Sequence, residues 1–367
     1  MKLVLHFDGS VAINTLRQVL LAAGENTTVH YGAAHGLDAG ALLSVVSAAG
    51  SDRRLVLGFD GTRAEARNLQ QAVSFAGPHT SVEINAAQAL NPAALRSTLA
   101  AAGDGRQVRA TFSGGRASAE ALLVALGVAG ERVDIGIGAA QALAPEALLA
   151  ALEAAGDARN LAVELSGSQP AAQLLQAVEA AGASTGIVIG GAQALTPDEL
   201  RDALGAAGDG RHLSLVFNGA QAGDTDLAGV VSAAGTNTQV RVNTAECLDS
   251  ASLLACIGAT GNTRQLSVEF NGAQQAEVNL ALALEAAGVS TAVAVNTAQE
   301  VAEPSLLAAF EVAGDQKRFD VAFNGSQLKP EALQRYAGAA GQRVTLSIGG
   351  AHALPLPALL EAVRLAA

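Results

Sequence analysis

Thr196-Pro197-Asp198-Glu199-Leu200 opens a stretch that continues Arg201-Asp202-Ala203-Leu204-Gly205-Ala206-Ala207-Gly208, then Asp209-Gly210-Arg211-His212, then Leu213-Ser214-Leu215-Val216-Phe217-Asn218-Gly219. Its first part reads as a helix. Thr196 stands at the N-cap, Pro197 at the first helical position, and Glu199 three residues after the cap. Leu200 and Leu204 share one helix face, and Gly208 ends the helix at a position that favours φ > 0. The last part reads as a strand. Leu213, Leu215 and Phe217 point one way, Ser214 and Val216 the other, which is the period of a half-buried strand.

The same pattern extends in both directions. Glycines fall at 24, 50, 77, 103, 130, 156, 182, 208, 235, 261, 288, 314 and 341, every 26 or 27 residues. Eight residues before each stands a leucine: Leu16, Leu42, Leu69 and so on to Leu333, with Leu359 as the equivalent in the last repeat. Each glycine is expected at a left-handed helix end. Fourteen strand–helix repeats follow, with parallel strands and right-handed crossovers. The repeats alternate in kind. Odd ones close their strand with Phe-Asn-Gly or Phe-Asp-Gly, as at Phe7-Asp8-Gly9 and Phe270-Asn271-Gly272. Even ones use Ile or Val and a longer turn, as at Ile84-Asn85-Ala86-Ala87-Gln88-Ala89-Leu90. The period is therefore a pair of about 53 residues, present seven times, and the chain 1–367 reads as one α/β repeat domain.

Leu213-Ser214-Leu215-Val216-Phe217-Asn218 is similar to the LxLxxN core of leucine-rich repeats, and the alternating pair resembles the ribonuclease-inhibitor class. The leading LxxL leucine is missing, and Asn218 is displaced from the usual asparagine slot. The resemblance implies strands inside, helices outside and a horseshoe-like architecture; it implies no particular partner. A closed ring is the alternative. Fourteen strands at ~4.8 Å give a radius of ~11 Å, and helices ~10 Å further out then sit ~9 Å apart, within packing range. Neither end carries the polar cap of an open solenoid. Closure, end-to-end assembly or a longer parent array would each account for that.

Composition narrows the function classes. The formal charge is −12, with only three lysines, which argues against nucleic acid as a partner. No apolar run is long enough to span a membrane, and the Met1–Gly9 start reads as a strand rather than a leader. Two cysteines give no disulfide framework, so a cytoplasmic location is expected. The Ala, Gly and Arg bias fits either a GC-rich bacterial gene or a designed sequence.

Several columns deserve a chemical reading. A glutamine recurs in the turn: Gln88, Gln141, Gln169, Gln193, Gln221, Gln274, Gln299 and Gln327, replaced by His35, Arg63, Arg116, Glu246 and His352 elsewhere and by Val11 in the first repeat. A ladder of side-chain amides satisfying turn backbone or one another is the expectation; a functional rim is the competing reading. The aligned helix starts form a generic anion-attracting edge, but Gly136-Ile137-Gly138 lacks the third glycine of a dinucleotide fingerprint. On the opposite rim, Asp52-Arg53-Arg54, Asp104-Gly105-Arg106, Asp157-Ala158-Arg159, Asp209-Gly210-Arg211, Asn262-Thr263-Arg264 and Asp315-Gln316-Lys317-Arg318 read as a stripe of solvated ion pairs. The strand face away from the helices carries His6, His30, Glu83, Arg109, Asp134, Glu164, Arg241, Glu269 and Asp320. It lacks the aromatic anchors of a tight protein interface. His6 and His30 could hold a metal ion only as a pair. Cys247 and Cys256 sit where other repeats have alanine and read as small buried fillers. No catalytic, cofactor-binding or metal residue is assigned and no cofactor is expected. The chain reads as a non-catalytic scaffold, structural or protein-interacting, with self-assembly through its ends as one route to partners. Ligand or anion binding on the turn rim or strand face is the alternative.

Overall fold

The computed structural model describes residues 1–367 except Asp224, Asn262, Gln275 and Ala276. Fourteen strands alternate with fourteen helices. The first repeats are β1 (Lys2–Phe7), α1 (Ile13–Ala22), β2 (Thr27–Tyr31), α2 (Ala39–Ala49), β3 (Arg54–Asp60), α3 (Ala66–Phe75), β4 (Thr80–Asn85) and α4 (Pro92–Ala102). Then come β5 (Gln107–Ser113), α5 (Ala119–Val128), β6 (Val133–Gly138), α6 (Pro145–Ala155), β7 (Asn160–Ser166) and α7 (Ala171–Ala180). The series continues with β8 (Thr185–Gly190), α8 (Pro197–Ala207), β9 (His212–Asn218), α9 (Leu227–Ala233), β10 (Thr238–Asn243) and α10 (Ser250–Gly258). It ends with β11 (Gln265–Asn271), α11 (Glu277–Ala286), β12 (Thr291–Asn296), α12 (Glu303–Ala313), β13 (Arg318–Asn324), α13 (Pro330–Ala339), β14 (Val344–Gly349) and α14 (Leu356–Ala366).

The chain divides into two compact bodies, Phe7–Val188 and Met1–His6 with Ile189–Ala367. In the first, β2 through β7 pair in parallel, each with the next in sequence. In the second, β9 through β14 do the same, and β1 then pairs with β14, Leu3 opposite Leu346 and Leu5 opposite Ile348. The first strand is thus bonded to the last within one body, a pairing that the open horseshoe, one of the two arrangements the sequence allows, does not have. β1 and β14 are each other's neighbours, which removes the bare edges on which end-to-end assembly would have relied.

The burial pattern follows the alternation. Along β9, Leu213, Leu215 and Phe217 are buried while Ser214 and Val216 are only partly so. The helix face at Leu200, Ala203, Leu204 and Ala207 closes over them. Helix starts are capped as the sequence implies. Thr196 and Glu199 form a reciprocal capping box, and Asp38, Asn91 and Asp249 accept from backbone N–H groups of their first turns.

The two kinds of repeat end their helices differently. In even repeats Gly50, Gly103, Gly156, Gly208 and Gly314 terminate the helix with φ between +49° and +61°. In odd repeats the helix stops earlier, at an extended alanine such as Ala76, Ala129, Ala181 or Ala234. The odd glycines are therefore not left-handed helix ends, which corrects half of that column. They are needed for another reason. A Cβ on Gly182 would stand 2.0 Å from the Gly156 carbonyl oxygen, and one on Gly341 would stand 2.0 Å from that of Gly314. Gly130 and Gly235 likewise let their loops lie directly on the preceding one, whereas a Cβ on Gly288 would have room.

Candidate functional site

The turn rim is built from even repeats. Each places a one-turn 3₁₀ helix, such as Ala87–Ala89 or Ala192–Ala194, between strand and helix. The residue before it is left-handed at Ala86, Ala139, Gly191, Thr244, Thr297 and Gly350, but not at Ala33, whose φ is −121°. Gln88, Gln141, Gln193 and Gln299 of the glutamine column sit in the middle of that turn. Gln88 Oε1 accepts from the Ser113 N–H at 3.1 Å, Gln193 Oε1 from Asn218 at 3.1 Å, and Gln299 Oε1 from Asn324 at 3.0 Å. The remaining amide protons bridge to the next repeat: Gln193 Nε2 donates to Gln221 Oε1 and Gln299 Nε2 to Gln327 Oε1, both at 3.0 Å. This is the ladder expected from the spacing.

Two exceptions to the column serve the same purpose. Glu246 Oε2 accepts from the Asn271 N–H at 3.0 Å, and His35 Nδ1 from that of Asp60 at 3.5 Å. Amide, carboxylate and imidazole are interchangeable there because each offers one acceptor to a strand-end N–H. The Phe-Asn-Gly glycines belong to the same joint. Gly219 N–H donates to the Asn243 carbonyl at 2.7 Å, and a Cβ there would meet the Thr244 oxygen at 2.5 Å. At Asp60, the Thr62 hydroxyl and N–H hold the carboxyl below the usual carboxylate range.

On the opposite rim the acid–arginine stripe is wired to backbone, which corrects its reading as ion pairs. Asp157, Asp209 and Asp315 accept from the N–H groups of Ala183, Thr236 and Gln342 in the following loop, at 2.7–2.8 Å. The arginines cap helix carbonyls. Arg106 donates to Ala101 at 3.1 Å and Ser74 at 3.2 Å; Arg53 donates to Ala48 and Leu21; Arg211 donates to Ala206. Lys317 replaces arginine and donates to the Leu284 and Glu285 carbonyls. Asn262 lies outside the described residues. The reason is geometric: helix C-terminal carbonyls and loop N–H groups both lack partners at this rim, and a charged side chain bonds either strongly.

Other expected sites are dispersed. His6 Nε2 lies 3.1 Å from Ser347 Oγ across the β1–β14 pair, and His30 stands opposite Val56 on β3. Among the described residues no cluster of three His, Cys, Asp or Glu is placed to hold a metal ion. Cys256 is buried, and burial pushes its thiol up to about 12. Cys247 is exposed instead of buried, because its column is the solvent-facing end of the 3₁₀ turn Ala245–Cys247. Among the described residues no helix is long and apolar enough to cross a membrane.

Three features escape the sequence reading. One is a run of buried hydroxyls: Thr27, Thr80, Thr185, Thr238 and Thr291 open the even strands, fully buried, with no partner for Oγ1. Another is a groove of about 550 Å³ at the turn rim between α8 and α9. Here α9 begins at Leu227 itself, whereas its counterparts in other odd repeats, such as α7 and α13, begin three residues before their leucine. The missing first turn exposes a floor of Leu195, Leu200, Leu204 and Val230, with Gln193 and Gln221 at the mouth. Gly223 and the N-cap Asp226 are the sequence signal for that shortening. The third is a row of charge across β4, β5 and β6: Glu83 pairs in register with Arg109, and Arg109 with Asp134.

No protein-family model and no curated protein matches the chain. Solved structures with a similar strand–helix repeat include the leucine-rich repeat-containing protein LegL7 from Legionella pneumophila (14% identity, TM-score 0.41, covering 80% of this chain and 93% of that one). The complex of Rad7 and Elc1 in yeast is another (13%, TM-score 0.47, 93% and 89%). The dihydrodipicolinate synthase from Bacillus clausii is more distant (10%, TM-score 0.28, 55% and 72%).

Proposed function

We propose that the chain is a non-catalytic repeat scaffold, its two rims committed to holding repeats together and its open strand face left for recognition. One observation carries this reading. The rim groups with the most chemical character (Gln193, Glu246, His35, Arg106, Asp209) bond backbone of a neighbouring repeat, and none stands with a second such group in a nucleophile–base arrangement. Two free thiols and no disulfide among the described residues suit a reducing cytosol. The test is a panel of hydrolase, aldolase and oxidoreductase substrates at micromolar protein. No turnover above a heat-denatured control is expected. Turnover that falls tenfold in Gln193→Ala or Glu246→Ala, with the fold intact by circular dichroism, would overturn the reading.

The α8–α9 groove favours a second reading, ligand binding at the turn rim. Its volume lies within the range of small-molecule pockets, and its floor is apolar with a polar mouth. Anilinonaphthalene sulfonate fluorescence should rise on the native protein and stay low on Ala233→Phe, which fills the groove. Equal fluorescence on both would count against it.

A further inference from the structure

Outside the rims, the strand face away from the helices holds one concentrated set of charges. Glu83, Arg109 and Asp134 occupy the same register position on three successive strands, in the order acid, base, acid. Elsewhere the charges of this face are diluted: Arg241 stands between Val216 and Ser267, and Asp320 between Ala294 and Thr345. A depression of about 380 Å³ lies over the row, and Ser81 and Gln107 extend it with neutral polar groups.

Of the other charged residues lining this depression, Arg132 has its guanidinium engaged and Glu131 is tied through its backbone. Arg132 donates to the Gly105 carbonyl at 3.1 Å, and the Glu131 carbonyl accepts from Asn160 Nδ2 at 3.0 Å. Arg109 is exposed and takes no part in the ion pairs found among the described residues. What remains on offer is a guanidinium flanked on both sides by carboxylates, on rigid strands, in a cavity near the small end of ligand pockets.

We infer that this row binds a small zwitterion, a free α-amino acid, with its carboxylate on Arg109 and its ammonium against Glu83 or Asp134. A guanidinium takes a carboxylate through two parallel N–H bonds, and a carboxylate takes an ammonium through one or two. An amino acid with its two hydrogen bonds spans roughly 8 Å, wider than the strand spacing of about 4.8 Å, so the long Arg109 side chain and a shorter acid take it by splaying apart over the face. A simple anion would meet the flanking acids, and a simple cation would meet Arg109, so neither half satisfies the row. The inference deepens the ligand-binding reading at a different place from the groove, and the two fail separately.

Isothermal titration calorimetry on the full chain tests it, with each of the twenty common amino acids, and with acetate and ethylamine as half-ligands. One amino acid should bind with 1:1 stoichiometry and at least tenfold more tightly than either half-ligand. Arg109→Gln and Asp134→Asn should each weaken that binding tenfold or more. Both side chains are exposed, so the variants should keep the wild-type melting temperature; Glu83→Gln is the third variant should either lose its fold. Absence of heat with every amino acid, a half-ligand that binds as well, or binding unchanged in the folded variants would overturn the inference. In those cases the row serves only to keep the strand face solvated.

Discussion

Replacing the buried threonines that open the even strands by valine should stabilise the protein. Thr80 is fully buried, its Oγ1 has no hydrogen-bond partner, and its N–H already closes a turn onto the Gly77 carbonyl at 3.1 Å. Valine has nearly the same shape, and it already stands at this place in two repeats, as Val133 and Val344, with the same N–H bond to Gly130 and Gly341. A buried hydroxyl without a partner costs about 1–3 kcal/mol. Allowing for imperfect shape match, Thr80→Val should gain about 1 kcal/mol. Thr27, Thr185, Thr238 and Thr291 are in the same state. They lie at least two strands apart, roughly 10 Å or more, so their effects should add. A 367-residue chain melting as one unit loses roughly 0.8 kcal/mol per degree near its midpoint, so each change should raise Tm by about 1 °C and all five by about 5–7 °C. Thermal and urea denaturation read the effect, with Val133→Thr as the mirror experiment, expected to destabilise by a similar amount. A loss of stability in Thr80→Val, or a gain in Val133→Thr, would show that the hydroxyl has a partner in the native state and refute the reasoning.

Other outcomes follow from the joints between repeats. Gly182→Ala should cost about 3 kcal/mol or more, since its Cβ would sit on the Gly156 carbonyl, whereas Gly205→Ala in α8, with open space around it, should gain about 1 kcal/mol; chemical denaturation separates the two. Ala139→Gly should gain about 1 kcal/mol by relieving a left-handed alanine at φ 51°, a place that Gly191 and Gly350 hold in other repeats. Native protein should react with a thiol reagent at one cysteine, Cys247, and unfolded protein at two, because burial raises the Cys256 thiol to about 12. Asp60 has its folded pKa depressed, so its contribution to stability is present above the unfolded value of about 3.9 and is lost as pH falls through the folded value. Thr62→Ala should move its titration midpoint upward in an NMR titration.

The pattern of leucines and glycines made the repeats, their pairing and the helix caps legible, because each is a local rule: Thr196 and Glu199 meet within one turn, and Gly208 ends its own helix. What was not legible depends on a residue one repeat away. Gly182 looks like Gly156 in sequence, yet one is required by a neighbour's carbonyl and the other by its own φ. Asp209 and Arg211 are close enough in sequence to suggest an ion pair, but unsatisfied backbone of adjacent repeats claims both. Closure could not be decided from repeats that are nearly alike, since an arc and a cycle ask the same residues of every interior repeat. For the site, the glutamine ladder was legible from its period. The charge row was not, because it depends on register: Glu83, Arg109 and Asp134 come together only once β4, β5 and β6 are aligned.

The pairing of β1 with β14 also sets a timetable. Lys2–Leu5 are synthesised about 340 residues ahead of their hydrogen-bonding partners, Thr345–Ile348. At about 5–20 residues per second, Leu3 and Leu5 wait roughly 20–70 seconds for the strand that covers their edge. Through that interval this edge of the nascent strand stays unpaired, which is the period when a chaperone, or a second nascent chain on the same message, would find it.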